Sequence, residues 1–258
     1  VKDGYTFVGW NTEADGSGID YSDGSSLAIS DSNVTLYAKW TKNQDIDPGF
    51  EYRLINNDTE YEITGYSGTN TDITIPSQIN GKNVTSIGNN AFNGKIDVTS
   101  IIIPDTVTSI GDYAFYYCSS LRSIKIPNGV TSIGAQVFYN CTALTSITIP
   151  DTVTSIGDYA FLNCSSLTSI KIPKGVTSIG IVAFYNCSSL TSIEIPDNVT
   201  NIGFVAFANI NDHAIFYVDS QRLANLLQSY KVGNIQIIVR NQTYTVTYAG
   251  NGNTEGTV

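Results

Sequence analysis

The sequence predicts a mainly β solenoid of stacked 23-residue coils, with little helix and a partial small β-rich module at the N-terminus. A strict period is the first observation: phenylalanine recurs every 23 residues, at Phe92, Phe115, Phe138, Phe161, Phe184 and Phe207. The four cysteines keep the same step, at Cys118, Cys141, Cys164 and Cys187. The second observation is that so short a unit cannot bury an apolar face alone, so the coils must shield one another.

Each unit contains a strand pattern followed by a corner. Segments such as LRSIKIP carry apolar residues at the first, fourth and sixth positions, so Leu121, Ile124 and Ile126 are expected to point inward. Proline ends each strand because it has no amide to donate. The following VTSIG predicts a short strand or turn, and its glycine most simply marks a positive φ at the corner. The phenylalanine column is expected to stack as an aromatic spine inside the coils.

The ends of such an array need caps, because exposed coil faces would aggregate. Two alternating runs over residues 50–66 predict a hairpin, so residues 44–71 are interpreted as a linker and N-terminal cap. The solenoid is assigned to residues 72–218, and residues 219–240 are interpreted as a C-terminal cap of one helix and one strand. The helix carries three leucines on one face: Leu223, Leu226 and Leu227.

The unit from Ile103 to Lys125, IPDTVTSIGDYAFYYCSSLRSIK, resembles the BspA-like leucine-rich repeats of bacterial surface proteins. The resemblance implies a leucine-rich-repeat solenoid, a location outside the cell or on the bacterial surface, and adhesion to matrix proteins or other cells. Residues 4–40, with the ends GYTFVGW and VTLYAKW, resemble the Listeria–Bacteroides repeat, a small β-grasp-like module of internalin-type surface proteins. Residues 1–43 are therefore interpreted as part of such a module.

The first strand of that module, of the type YTVTY, is missing before Val1 and appears instead at Tyr244–Tyr248. Residues 241–258 are therefore expected to begin a following module, and the chain to be a piece of a longer array. A further hypothesis is that this strand completes the open sheet of residues 5–40 in another copy, which would join chains head to tail.

Charge and composition argue against several functions. A net charge of -10 repels phosphate, so no nucleic-acid partner is expected. There is no apolar run near the ~20 residues that a membrane helix needs, so direct membrane insertion is not expected. His213 is the only histidine and lacks a flanking nucleophile motif, so we expect no enzyme and no cofactor. Four aspartates lack the spacing of a calcium loop, and turn or solvation roles are favoured over a metal site: Asp15, Asp20, Asp23 and Asp31.

The cysteine column leaves three interpretations open. The thiols fill small buried apolar slots, or neighbouring pairs form disulfides, since adjacent coils lie roughly 5 Å apart. Zinc is the third, although it prefers cysteines that are closer in sequence. Lys95 and Ile210 replace cysteine at the array ends, where the slot is less enclosed, and this favours packing.

Two candidate binding surfaces follow from the repeat. The first is the outward face of the strands: Arg122, Ser123, Lys125, Thr145, Ser146, Thr148, Thr168, Ser169, Lys171, Thr191, Ser192 and Glu194. The second is a tyrosine patch beside the cysteines, because tyrosine gives contact area at low entropic cost: Tyr116, Tyr117, Tyr139 and Tyr185. The alternative is structural, with small polar residues keeping a parallel sheet soluble and some tyrosine rings covering the core.

Two functions are therefore expected. The first is an extracellular adhesion or interaction module that binds a protein or carbohydrate through the solenoid face. The alternative is a structural spacer, a stalk unit of a larger surface protein.

Overall fold

The computed structural model describes residues 2, 5–27, 33–42, 46–229 and 236–240 of the chain. Three strands form an N-terminal sheet: β1 (Tyr5–Asn11), β2 (Asp20–Tyr21) and β3 (Tyr37–Lys42). The strands that follow are β4 (Phe50–Ile55), β5 (Glu60–Tyr66), β6 (Asp72–Thr74), β7 (Gln78–Ile79), β8 (Lys82–Ile87), β9 (Ser100–Ile102), β10 (Ser109–Ile110), β11 (Ser123–Lys125), β12 (Ser132–Ile133), β13 (Ser146–Thr148), β14 (Ser155–Ile156), β15 (Ser169–Lys171), β16 (Ser178–Ile179), β17 (Ser192–Ile195), β18 (Asn201–Ile202) and β19 (Ile215–Val218). A helix, α1 (Gln221–Ser229), and a last strand, β20 (Gln236–Val239), complete the described elements.

The N-terminal sheet is antiparallel, in the order β2-β1-β3. Its apolar contacts centre on Phe7, whose ring lies 5.2 Å from that of Trp10 and 5.4 Å from that of Trp40, edge to face. Asn11 is buried and fixes the loop that follows β1, because it donates to the carbonyl oxygen of Gly18 and accepts from its amide, both at 3.1 Å.

The solenoid has two parallel β ladders, which confirms the predicted fold class. The first ladder contains the sheets β13-β11-β9-β6 and β15-β17-β19-β20; the second contains β10-β8-β5-β4 and β12-β14-β16-β18. Within the repeats, paired residues lie 23 positions apart, as Ser123 opposite Ser146 in the first ladder and Ser155 opposite Ser178 in the second. The spacing changes at the ends of the first ladder, where Asp72 pairs with Ser100 and Ile215 with Gln236. At the N-terminal end, β4 and β5 form an antiparallel hairpin, and β5 pairs in parallel with β8.

The third side of each coil, between the second ladder and the return to the first, is a run of turns. Their amides bond to the next coil: Phe115 N donates to Val137 O at 3.0 Å, and Tyr117 N donates to Tyr139 O at 2.8 Å. Two residues per coil have positive φ, which turns such amides along the solenoid axis. These residues form two columns: Asn90, Tyr113, Gln136, Tyr159, Val182 and Val205, then Gly94, Tyr117, Asn140, Asn163, Asn186 and Asn209.

The core is a stack of phenylalanine rings, as predicted. The six rings of the column are at most 1% exposed, and the centroids of neighbouring rings lie 4.9 to 5.5 Å apart. Tyr66 of the cap hairpin continues the stack at one end, 6.2 Å from Phe92, and Phe216 closes the other end with an edge contact to Phe207 at 5.2 Å. Both ends of the core are therefore covered by aromatic rings.

The prediction of positive φ at the repeated glycine is wrong. Positive φ among the described glycines occurs at Gly9, Gly16, Gly24, Gly81 and Gly94, none of which belongs to that column. The column needs glycine because the coils approach each other too closely for a side chain. A Cβ at Gly180 would lie 2.4 Å from the carbonyl carbon of Gly157, and one at Gly203 would lie 2.4 Å from that of Gly180.

The C-terminal end is covered by α1 and β20, which pairs in parallel with β19. The helix buries Leu223 and Leu227 completely, and Leu226 packs partly buried against the same core. The hydroxyl oxygen of Ser220 accepts from the Leu223 amide at 3.4 Å, as an N-cap residue does.

Candidate functional site

The predicted outward side chains of the first ladder are exposed, except that Ser192 and Glu194 are half-buried. Together with the neighbouring outward residues, among them the exposed Ile102 and the half-buried Ser100 and Tyr217, they are called the sheet face below. Part of this polarity serves the fold. The hydroxyls of Thr145, Thr168 and Thr191 donate to backbone carbonyl oxygens of the preceding coil at 3.0, 3.4 and 3.3 Å. The threonine column therefore joins neighbouring coils. The charged and apolar side chains of the sheet face are available to bind a partner.

An open groove of about 600 Å³ lies on the sheet face across β9, β11 and β13. Its most exposed apolar residue is Ile102, at 62% exposure, in a column otherwise filled by polar residues at this end of the array. Ser123, Lys125, Ser146 and Thr148 of the predicted face line it. Asp105, which follows the proline of the same coil as Ile102, lines it as well and was not among the predicted residues.

A second recess, of about 260 Å³, lies at the C-terminal end of the sheet face. The guanidinium of Arg240 is 3.0 Å from the Glu194 carboxylate and 4.5 Å from the centroid of the Tyr217 ring. The hydrogen bond from Arg240 lowers the pKa of Glu194, with Lys171 adding a smaller effect, so this carboxylate stays charged. Two 23-residue steps from Glu194 find Tyr217 and then Arg240. In the structure, however, Tyr217 pairs with Ile238, so Arg240 lies two residues past the paired position.

Three of the four predicted tyrosines form one cluster on the third side. The ring of Tyr116 lies 4.7 Å from those of both Tyr117 and Tyr139, and Tyr113 joins at 5.7 Å from Tyr116. Burial raises the pKa of Tyr116, helped by the neighbouring phenols. Tyr185 is separate from the cluster, and its hydroxyl accepts a hydrogen bond from the Asn209 amide at 2.8 Å.

A ladder of asparagine side chains continues the same side, and the sequence interpretation missed it. Asn163 donates to the side-chain oxygen of Asn140 at 2.8 Å, and Asn186 donates to that of Asn163 at 2.9 Å. The 23-residue repetition of asparagine was visible in the sequence. Its meaning depends on the positive φ of these residues, which residue type alone does not reveal.

The cysteines are buried free thiols, in agreement with the packing interpretation. Each thiol donates to a phenylalanine carbonyl oxygen of the preceding coil at 3.1 to 3.2 Å, as Cys164 does to Phe138. Burial raises the pKa of Cys118 and Cys187 to about 12 and that of Cys141 and Cys164 well above its ordinary value. Such thiols are protonated and inert at neutral pH.

The remaining candidate residues lie apart from one another. His213 is exposed in a loop before β19. Asp15 accepts hydrogen bonds from Ser17, and Asp20 pairs with Lys39 at 2.6 Å, while Asp31 lies outside the described residues. Within the described ranges, no group of three or more histidine, cysteine or acidic side chains could hold a metal ion. The helix of that same part of the chain is too short to cross a bilayer.

Stacked parallel coils with an inward Leu, Ile and Phe pattern and capped ends define the class of leucine-rich-repeat solenoids. The chain belongs to the BspA-type leucine-rich repeat family, whose family model, described as BspA type Leucine rich repeat region, matches in six copies over residues 85–213. A second family model, for the Listeria-Bacteroides repeat domain, matches residues 1–39.

Solved structures of bacterial repeat proteins are similar to this chain. The leucine-rich repeat protein of T. pallidum is 26% identical, over 70% of this chain and 93% of that chain, with a TM-score of 0.57. A leucine-rich cell surface protein of Faecalibacterium prausnitzii is 36% identical, over 68% and 54% of the two chains, with a TM-score of 0.56. A leucine-rich repeat protein of Bacteroides ovatus is 25% identical, over 75% and 67%, with a TM-score of 0.53.

Two proteins of Evansella cellulosilytica, both named as membrane proteins and one as Gly-rich, are similar over short segments. They are 58% and 48% identical over 43 and 42 residues, which is 17% and 16% of this chain. The matched segments span only 5% and 6% of the length of those relatives.

Proposed function

We propose that the chain is an extracellular interaction module of a bacterial surface or secreted protein, and that its sheet face binds an extracellular protein. The observation that carries this proposal is the groove around Ile102. An isoleucine that is 62% exposed on a ladder of hydroxyl side chains has no role in the coil itself, whose inward positions already hold the apolar residues. The F. prausnitzii relative, which by its name is a cell surface protein, supports the location.

The chemistry around Ile102 suits a polypeptide partner. The groove is open and shallow, in contrast to the enclosed sites that bury small ligands. The apolar centre shares the groove with the cation of Lys125 and the carboxylate of Asp105, so apolar contact and charge pairing are available together. The exposed Arg122, three residues before Lys125, adds a second cation to this part of the sheet face. We propose no catalytic role, because the thiols are inert and His213 lies in a cap loop away from both recesses.

The test is binding of the purified chain to an immobilised panel of extracellular-matrix proteins, measured by biolayer interferometry. The variant Ile102→Thr/Arg122→Thr/Lys125→Thr replaces Arg122 and Lys125 by their equivalents in the next coil, Thr145 and Thr148. It replaces Ile102 by the residue that pairs with it in β6, Thr74. The fold therefore tolerates it, and affinity for a matrix protein should fall at least tenfold. The control Thr131→Ser/Thr154→Ser changes the second ladder and should bind as the parent chain does.

Two results would overturn the proposal. One is no binding to any matrix protein, which would favour the spacer function. The other is equal binding by the parent chain and the groove variant, which would place the contact elsewhere.

A further inference from the structure

The third side of the solenoid carries a polar and aromatic surface, called the Tyr–Asn strip below. It contains the clustered tyrosines and the asparagine ladder: Tyr113, Tyr116, Tyr117, Tyr139, Asn140, Asn163, Asn186 and Asn209. Four coil-to-coil steps of about 5 Å separate Tyr117 from Asn209, so the strip is about 20 Å long and runs along the solenoid axis.

Tyr117 is the residue that the repeat itself does not explain. Its φ is 57°, a conformation that asparagine and glycine adopt readily and that a bulky residue adopts only with strain. The same position holds Gly94 in the preceding coil and asparagine in the coils that follow. Tyr117 is also 39% exposed, so part of its ring is available to a partner. Tyr159 also has positive φ and is exposed, but Tyr117 alone of the two lies in a cluster, 4.7 Å from Tyr116 and 5.6 Å from Tyr139. Its exposed ring therefore adds to a larger aromatic surface.

The ladder beside the tyrosines offers fixed polar groups. Asn163 donates one amide hydrogen to Asn140 and accepts one from Asn186, which leaves it a second N–H and a second lone pair. The neighbours hold its amide plane in place, so the free donor and acceptor point in a set direction. Asn209 ends the row by donating to the Tyr185 hydroxyl at 2.8 Å.

The strip contains no ionisable group other than phenols, so charge does not select its ligand. Tyrosine faces attract the partially positive C–H groups of a sugar ring, and amides pair with sugar hydroxyls. Single-stranded nucleic acid would also stack on tyrosine, but a chain of net charge -10 repels its phosphates. A flat strip that crosses several coils fits an extended chain of sugars better than a single residue.

We propose that the Tyr–Asn strip binds a neutral polysaccharide that lies along the solenoid axis, with a sugar ring stacked on the exposed Tyr117, beside the half-buried Tyr116 and Tyr139, and hydroxyls paired with the asparagine ladder. This site is on a different side of the coil from the sheet face. Its test is therefore separate from that of protein binding through the groove.

The test is native affinity electrophoresis of the full chain in gels that contain laminarin, mannan, xylan or soluble starch. The variant Tyr116→Leu/Tyr117→Asn gives this coil the residues of a later one, Leu162 and Asn163. Asparagine adopts this positive φ with less strain than tyrosine does, so the variant should unfold at a urea concentration equal to or above that of the parent chain. At least one polysaccharide should retard the parent chain, and the double variant should need at least tenfold more polysaccharide for equal retardation.

A matched control is Tyr159→Gln. Tyr159 is another exposed tyrosine with positive φ, it lies outside the cluster, and Gln136 holds the equivalent position one coil earlier. This control should be retarded as the parent chain is. Parent chain that runs unretarded in all four gels, or a double variant that is retarded equally, would overturn the proposal, as would retention by the charged polysaccharide heparin alone.

Discussion

Replacing one glycine of the repeated column should separate two coils, and the effect should depend on which coil is changed. In Gly180→Ala, the new Cβ meets the backbone of the preceding coil, 2.4 Å from the carbonyl carbon of Gly157 and 2.5 Å from the nitrogen of Asp158. In Gly134→Ala, the Cβ meets a side-chain oxygen of Asp112 at 2.3 Å, and the nearest backbone atom is 3.6 Å away. Backbone cannot move aside locally, whereas a surface carboxylate can rotate.

The magnitude follows from these contacts. An ordinary carbon contact is about 3.5 to 4.0 Å, so the coils around Gly180 must separate by about 1 Å. That stretches the hydrogen bonds Gly180 N to Ile156 O, 2.8 Å, and Thr177 N to Thr154 O, 2.9 Å, each worth about 1 kcal/mol net. Weaker packing across the gap brings the total for Gly180→Ala to about 3 kcal/mol. Gly134→Ala loses the bond from the Ala135 amide to Asp112, at 2.7 Å, or about 1 kcal/mol.

The free energy of unfolding is measured by urea titration with far-ultraviolet circular dichroism. The change in unfolded-state entropy is the same for both variants, so it cancels in the comparison. Gly180→Ala should be the less stable variant by about 2 kcal/mol. Amide hydrogen exchange should be faster in the strands on either side of the changed coil, because each coil contacts only its neighbours. Equal stability of the two variants within about 0.5 kcal/mol would refute the close backbone approach.

Three further outcomes follow from the structure. Val182→Asn should raise the free energy of unfolding by about 1 kcal/mol, because Val182 is β-branched at a φ of 59°, and an unchanged urea midpoint would contradict this strain. The thiols, including Cys118 and Cys187, should react with a disulfide reagent at mildly alkaline pH only after unfolding in guanidinium, and rapid reaction of the native chain would show that the column is open. The Tyr66 hydroxyl, 2.6 Å from Asp47, lowers the pKa of that carboxyl. The Asp47 carboxylate therefore stabilises the fold above pH 3.8, and this stabilisation is lost as the pH falls through the lower pKa of Asp47 in the folded chain. In Asp47→Asn, the free energy of unfolding should depend less on pH in the acid range. An unchanged pH dependence would count against the bond.

Most of the fold could be predicted from the 23-residue period of the sequence. Inward positions such as Leu121 and Phe161 repeat at one spacing, and a coil that must be covered by its neighbours has few ways to place them. The glycine column was misread because residue type does not distinguish a need for positive φ from a need for space. Both needs select glycine, and only the distance from Gly180 to the preceding coil shows which one applies.

The candidate surfaces were harder to predict than the core. Outward residues of the strands follow from alternation, and those residues lie on the sheet face as expected for a strand. The recess around Arg240 was missed because the predicted face ended at Glu194, one repeat before Tyr217 and two before Arg240. The Tyr–Asn strip depends on turns whose backbone angles the sequence did not indicate. The strand predicted at Tyr244–Tyr248 lies outside the described residues.

The most direct test of the proposed sheet-face function is hydroxyl-radical footprinting of the chain in complex with the matrix protein that binds it best. Ile102, Lys125 and Lys171 should become protected on binding, while the phenylalanine column should stay unmodified in both states because it is already buried. Protection confined to the third side or to the N-terminal sheet, with Ile102 modified as in the free chain, would contradict binding through the sheet face.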